Sequence, residues 1–123
     1  MPLYRLYLQA DMLSDQDKAA FAAKITKFHC DLTGLEPAYV KVLFAILGRG
    51  DTFVAAAARP VAILTVLIRA GRSTEYKQNM VRQLWMMLQT ATRATDEQML
   101  VAIEEAPASQ AMEMGLVMPD LPS

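Results

Sequence analysis

Residues 61–73 read VAILTVLIRAGRS, and this stretch decides the fold. Val61–Ile68 is an almost uninterrupted apolar run, typical of a buried strand covered on both faces and too short to cross a bilayer. Ala70–Ser73 is a turn that ends on a helix-capping residue. The segment after it repeats apolar residues at helical spacing: Met80, Val81, Leu84, Met87 and Leu88. A strand at Met99–Ile103 completes a predicted βαβ unit.

The first half of the chain has the same order of elements. Leu3–Leu8 predicts a strand, Ser14 a helix cap, and Tyr39–Ile46 a second strand with alternating apolar residues. The helix between them carries a buried stripe closed by a C-terminal glycine: Phe21, Ala22, Ile25, Phe28, Leu32 and Gly34. Placing Lys18 on Lys77, a shift of 59 residues (77 − 18 = 59), also aligns Ser14 with Ser73. The halves therefore look like duplicated units.

We predict an α/β (α+β two-layer) domain over residues 1–123, with tandem βαβ repeats at about 2–46 and 61–104. Right-handed crossovers would place both helices on one face of a four-stranded sheet. Because the other face would be bare, we expect an oligomer. The connection between the repeats leaves room for a short extra strand. In the tail, residues 105–123, we expect a short helix over Ser109–Met114 that ends at Gly115.

Composition excludes several classes of protein. A chain of 123 residues holds one core, and a net charge of −1 gives no general attraction to nucleic acid or acidic membranes. The single cysteine, Cys30, cannot form an internal disulfide, and no Cys/His pair has zinc-site spacing. The amino-terminal region lacks the apolar core of a signal peptide. We expect a soluble, cytoplasmic protein that needs no metal or cofactor.

Pro2 and two arginines are the first candidates for chemistry. Methionine is normally removed before proline, which would leave Pro2 with a basic secondary amine. Nearby cations or burial would lower the pKa of this amine toward neutral pH. Arg69 and Arg72 flank one strand-to-helix turn just before Ser73, where an anion shared with helix N–H groups would explain two cations. The alternatives are a structural proline at a first strand position and two solvated turn arginines.

His29 and Glu113 are weaker candidates when taken alone. His29 follows Ile25 by four residues and so lies on or beside the core-facing stripe of its helix. It is either a functional group or a buried histidine whose hydrogen bonds are satisfied. Glu113 lies in the tail and, by itself, is typical of an ordinary surface carboxylate.

Taken together, these features resemble the tautomerase superfamily and, within it, the cis-3-chloroacrylic acid dehalogenase group. The matching features are Pro2, His29 before Leu32-Thr33-Gly34, the run Arg69–Ser73, and the tail sequence APASQAMEMG that contains Glu113. The resemblance extends to about residue 120. It implies an amino-terminal proline as acid/base, a homotrimer, and a small carboxylate as substrate.

The resemblance also implies a role for each candidate. Pro2 corresponds to the acid/base, Arg69 and Arg72 to the arginines that hold the carboxylate, and His29 to a histidine that helps to bind and polarise the substrate. Glu113 corresponds to the carboxylate that positions or activates water.

One position departs from the group. Its dehalogenases carry a tyrosine where this chain has Ala102, in the stretch MLVAIEEAP. A methyl group can neither bind nor deprotonate water. The departure favours proton transfer at carbon over hydrolytic dehalogenation.

We therefore predict a tautomerase that uses an amino-terminal proline for keto–enol proton transfer on a small 2-oxo acid. Two alternatives remain open. One is a cofactor-independent hydratase or weak cis-3-chloroacrylate dehalogenase, and the other is a non-catalytic ferredoxin-like binding module in which Pro2 is only structural.

Overall fold

The computed structural model describes residues 1–121 and shows two βαβ units, each followed by a hairpin. The first half contains β1 (Leu3–Gln9), α1 (Asp15–Thr33), β2 (Lys41–Leu47), β3 (Phe53–Val54) and β4 (Ala57–Ala58). The second half contains β5 (Ala62–Arg69), α2 (Thr74–Thr92), β6 (Met99–Ala106), β7 (Met112–Glu113) and β8 (Leu116–Val117). Single 3-10 turns occupy Pro37–Tyr39, Asp96–Gln98 and Ala108–Gln110.

The duplication extends further than the sequence alignment predicted. The first residues of α1 and α2 are 59 positions apart (74 − 15 = 59), and the same shift relates the first 3-10 turn to the second and the hairpin β3–β4 to β7–β8. The structural repeat therefore includes the segments in which the sequence similarity has faded.

The helices begin where the two serines predicted. The hydroxyl oxygens of Ser14 and Ser73 accept hydrogen bonds from backbone N–H groups in the first turns of α1 and α2. Gly34 closes α1 in the left-handed conformation, at a φ of 76°. The predicted strand at Tyr39–Ile46 instead starts at Lys41, because Tyr39 belongs to the 3-10 turn that precedes it.

The four long strands form one mixed sheet in the order β2-β1-β5-β6. Within each repeat the two strands run parallel, as βαβ units require, and β1 pairs with β5 antiparallel across the middle. Leu6 lies opposite Leu64 at this central pairing. The antiparallel join brings the start of β1 beside the end of β5, since Leu3 pairs with Leu67.

The helices cover one face of the sheet and bury its alternate residues. The buried strand residues are Tyr4, Leu6, Leu8, Ala62, Leu64, Val66 and Ile68. The other residues of β5 remain partly exposed in the single chain, so the expected cover of its second face depends on self-association. On the uncovered face, Leu43 and Leu100 of the edge strands expose 43% and 49% of their surface. The predicted two-layer architecture with a bare face is confirmed.

The tail differs from the prediction. Ser109–Met114 is not a helix: Ala108–Gln110 form a 3-10 turn, and β7 and β8 form a hairpin joined by Met114 and Gly115. Both joining residues have positive φ, as the two-residue turns of right-twisted hairpins require. Pro122 and Ser123, the end of the predicted tail, lie outside the described residues. Neither α1 nor α2 combines the length and apolar character needed to cross a membrane.

Candidate active site

A small pocket of about 70 Å³ lies where the start of β1 meets the end of β5. Its polar lining comes from His29 and Thr33 on α1, and from Arg69 and Arg72 at the turn into α2. Its remaining wall is formed mainly by apolar groups: Met1, Leu35, Ile68, Tyr76, Met80 and Leu121. The arrangement suits a small anion with an apolar portion.

The two arginines supply the pocket with positive charge. Arg69 donates a hydrogen bond from Nη1 to the carbonyl oxygen of Pro119, at 2.6 Å. The Cζ atom of Arg72 lies 4.7 Å from the centre of the Tyr76 ring. Within residues 1–121 neither guanidinium forms an ion pair with a carboxylate. Their charge, together with the adjacent amino end of α2, is therefore available to a bound anion.

His29 is buried at the inner end of the pocket. Its Nδ1 atom lies 2.8 Å from the hydroxyl oxygen of Tyr4, and the two rings pack edge to face at a centroid distance of 5.6 Å. Burial, together with the positive charges of the Met1 ammonium and Arg72, lowers the pKa of His29 to about 4. The imidazole is thus neutral at physiological pH.

The amino terminus lies directly at the pocket. Met1 forms part of its wall, and Pro2 behind it is fully buried. With Met1 attached, the Pro2 nitrogen is an amide without a basic lone pair, whereas a chain that begins at Pro2 has a secondary amine there. Removing Met1 would also vacate the space that its side chain takes from the pocket.

Glu113 lies next to this amino terminus. It is placed there by the hairpin β7–β8, and its Oε1 atom forms an ion pair with the Met1 ammonium. Its Oε2 atom is buried and has no hydrogen-bond partner among the described residues. An unpartnered buried carboxylate oxygen is costly, so a proton donor is expected to occupy this position in the working protein.

The fold brings the five candidate residues to one end of the sheet. Ala102, where the related dehalogenases have a tyrosine, lies elsewhere. Pro2 directly precedes β1, His29 lies on α1 and Arg69 ends β5. Arg72 lies in the turn into α2, and Glu113 in the hairpin β7–β8.

Ala102 is the position that the fold keeps apart. It pairs with Thr65 in the middle of β6. By the alternation of the strand its side chain points to the sheet face away from the helices. Within its own chain, Ala102 therefore does not approach the pocket.

The opposite end of the sheet holds a larger cavity of about 800 Å³. The shift of 59 residues that relates the two repeats also relates the lining of this cavity to that of the small pocket. There, Ala10 and Leu13 stand where Arg69 and Arg72 stand in the first pocket. Both ends share one backbone design, but the two cations of the larger cavity, Lys24 and Arg93, share its lining with Asp11 and Asp17, whereas the lining of the smaller pocket has two arginines and no carboxylate. Chemistry, not size, therefore marks the candidate site.

The sequence did not indicate two residues of the pocket lining, Tyr76 and Leu121, or two residues that contact the lining, Tyr4 and Pro119. The sequence predicts Tyr4 only as a residue of a strand. A usable signal is that a buried tyrosine normally needs a partner for its hydroxyl. Tyr76 lies in the first turn of α2, four residues after Arg72, which precedes the helix cap. Pro119 and Leu121 reach the site through the path of the tail, which no local pattern indicates.

The duplicated βαβ fold agrees with the predicted resemblance to a class of proteins, the tautomerase superfamily. The chain belongs to this superfamily: the family described as "Putative oxalocrotonate tautomerase enzyme" matches residues 1–123. A search among curated proteins gave no match.

Solved structures agree with this assignment. The chain is 33% identical to the protein in the crystal structure of native Ps01740, with a TM-score of 0.85 over 90% of this chain and 99% of that one. It is 24% identical to N1, a member of the cis-3-chloroacrylic acid dehalogenase family, with a TM-score of 0.86 over 96% and 84% of the two chains. A fused 4-OT, described as a wild-type asymmetric trimer, is 19% identical at a TM-score of 0.83, over 94% of each chain. The predicted resemblance is confirmed.

Proposed function

We propose that the protein, once Met1 is removed, is a tautomerase that moves a proton between oxygen and carbon of a small 2-oxo acid. The proposal is supported chiefly by one observation: two arginines without carboxylate partners in residues 1–121 line a pocket at the amino terminus. Superfamily membership supports the same class of reaction.

Arg69 and Arg72 bind the substrate carboxylate in this proposal. A guanidinium presents its N–H donors in a plane that matches a carboxylate, and charged hydrogen bonds of this kind are about twice as strong as neutral ones. The apolar wall formed by Ile68 and Met80 would then surround the rest of the substrate. The carboxylate thereby fixes the 2-oxo group near the amino terminus.

Pro2 acts as the general acid/base. Its neutral amine takes the proton from the enol hydroxyl, the O–H electron pair forms the carbonyl, and the C=C electron pair takes a proton from the prolinium at carbon. The amine is thereby regenerated and no atom is lost or gained. His29 donates a hydrogen bond to the carboxylate or carbonyl oxygen, and the chemistry proposed uses no metal or cofactor.

Glu113 orients the amine or a water molecule. Its bond to the Met1 ammonium puts the carboxylate one residue away from the Pro2 nitrogen. After Met1 is removed, the same carboxylate is available to the prolinium, whose positive charge it would stabilise. Glu113 would therefore raise the pKa of Pro2, while the arginines lower it.

A second candidate function is a hydratase or a weak cis-3-chloroacrylate dehalogenase. The unpartnered, buried Oε2 atom of Glu113 favours it, because a water molecule bound there would be positioned for addition. Replacing Ala102 with tyrosine tests this alternative through halide release from cis-3-chloroacrylate. Since Ala102 points away from its own pocket, a gain in halide release would require a second copy of the chain.

We also propose that the protein assembles as a homotrimer and works in the cytoplasm. The uncovered sheet face with Leu43 and Leu100 supports self-association, as do the fused 4-OT structures, which are trimers. The remaining alternative is a ferredoxin-like binding module without catalysis. Catalytic activity that depends on Pro2 would exclude this alternative, and its absence would favour it.

The test is the conversion of phenylenolpyruvate by protein whose intact mass proves that it starts at Pro2. Pro2→Ala should lower kcat/KM about 100-fold or more, which is the contribution expected of a general acid/base. A matched control is Pro37→Ala, which replaces an exposed proline at the start of a 3-10 turn and should leave the rate unchanged. Equal rates for wild type and Pro2→Ala would reject the catalytic proposal.

A further inference from the structure

Tyr4 and His29 form a buried pair that the proposed reaction does not by itself explain. Tyr4 is fully buried beneath the helices, and its hydroxyl oxygen lies 2.8 Å from Nδ1 of His29. The contact joins β1 to α1 over 25 residues of sequence. It therefore fixes the imidazole relative to β1, the strand that directly follows Pro2.

The hydrogen bond has a direction. Burial raises the pKa of Tyr4 above its ordinary value, so the side chain keeps its O–H proton. Among the described residues, His29 Nδ1 is the one partner of this hydroxyl. If Tyr4 accepted from Nδ1–H instead, its own buried proton would have no acceptor, which is costly. Tyr4 thus donates, and Nδ1 carries the lone pair.

We propose that Tyr4 is a positioning residue that holds His29 in the Nε2–H tautomer, so that the imidazole presents a neutral N–H donor to a substrate oxygen. This inference rests on the proposed function for its purpose, although the tautomer itself does not depend on activity. In a neutral imidazole only one nitrogen carries a proton, so occupying Nδ1 as an acceptor places that proton on Nε2.

The other two states of His29 would harm the site. The titratable and charged groups that share the pocket with the imidazole are the amino terminus, Arg69, Arg72 and Tyr76. Tyr4 contacts it from β1, and Cys30 adjoins it in sequence. A protonated His29 would add a further positive charge beside the amine and Arg72. A proton on Nδ1 would leave Nε2 as a lone pair facing the electron-rich oxygen of the substrate.

The chain contains a single histidine, which makes the test direct. A long-range proton–nitrogen NMR spectrum of the whole protein shows one imidazole, and we expect a protonated Nε2 and an unprotonated Nδ1 at pH 7. Tyr4→Phe keeps the buried ring but removes the hydroxyl. In this variant the Nδ1–H tautomer should appear and the titration midpoint of His29 should rise by about one pH unit.

Tyr39→Phe is the matched control, because Tyr39 lies in the 3-10 turn before β2, outside the pocket lining. It should leave the imidazole spectrum unchanged. Two results would overturn the inference: a wild-type spectrum with the proton on Nδ1, or a folded Tyr4→Phe protein with the wild-type tautomer and midpoint.

A kinetic measurement separates this inference from the proposed function. With phenylenolpyruvate, Tyr4→Phe should lower kcat about tenfold and change KM little, because the arginines still bind the carboxylate. If wild type and variant have the same kcat, the positioning role is wrong. If wild type is inactive but the tautomer shifts as expected, the proposed function fails while the Tyr4–His29 coupling stands.

Discussion

Arg72, in the turn before α2, stacks on Tyr76 in the first turn of that helix, with its Cζ atom 4.7 Å from the ring centre. The ring face attracts the guanidinium and holds it in one plane. Unlike a carboxylate, the ring carries no net charge and so does not neutralise the cation. Among residues 1–121 no side-chain hydrogen bond or ion pair engages the N–H groups of Arg72, so they can bind a ligand. This contact explains how an arginine at the mouth of a pocket can be ordered and still charged.

Removing the positive charge of Arg72 should weaken substrate binding. Arg72→Ala is expected to raise KM about 10- to 100-fold, which corresponds to the loss of one charged hydrogen bond. Arg82→Ala, on the exposed surface of α2 and outside the pocket, is the matched control and should change KM less than twofold. An unchanged KM in Arg72→Ala would show that the carboxylate binds elsewhere.

The arginine pair and the caps were predictable because each is local in sequence. Ser73 caps α2 through its own neighbours, and Arg69 and Arg72 share one turn. The duplicated order of elements could be predicted for the same reason, since hydrophobic periodicity in each half reports the face that is buried. These features need no information from distant residues.

The hairpins and the inner pocket were not predictable in this way. Met114–Gly115 and Ala55–Ala56 adopt positive φ in two-residue turns, although neither pair is among the asparagine–glycine or aspartate–glycine sequences that signal such turns. The position of Glu113 depends on that turn and on a contact with the far end of the chain. Likewise, the Tyr4–His29 pair arises only when α1 packs on β1.

Glu113 should set the acidic limb of the pH–rate profile. Its negative charge beside the amine stabilises the prolinium, so Glu113→Gln should lower the pKa of Pro2 and extend activity to lower pH. The profile of kcat/KM against pH measures this. Glu97→Gln, which removes an exposed carboxylate paired with Arg59, should leave the profile in place. A shift toward higher pH in Glu113→Gln would contradict the assigned position.

His29 should make the folded state less stable in acid. The unfolded chain binds a proton near the ordinary pKa of 6.5, whereas the folded chain does so only near 4. Stability from this residue is therefore complete above about pH 6.5 and is lost as the pH falls toward 4, by roughly 3 kcal/mol. Urea unfolding across this range measures the slope. His29→Gln should reduce the dependence of the unfolding free energy on pH. An equal slope in this variant would show that burial of His29 does not oppose its protonation.

The bare face of the sheet should hold the oligomer together. Leu43→Glu places a charge on an edge strand of that face and is expected to reduce the mass measured by light scattering from three chains to one. Met86→Glu alters a similarly apolar residue, 66% exposed on α2, and should leave the mass unchanged. A wild-type protein that elutes as a single chain would contradict the proposed trimer.

The most direct test of the central claim compares two forms of the wild-type chain that differ only at the amino terminus. One form starts at Pro2, and the other, cleaved from a fusion, carries one glycine before it, which turns the Pro2 amine into an amide. Intact mass verifies both. We predict rapid conversion of phenylenolpyruvate by the first form and at least a 100-fold lower rate by the second. Equal rates would show that the amine of Pro2 is not the acid/base.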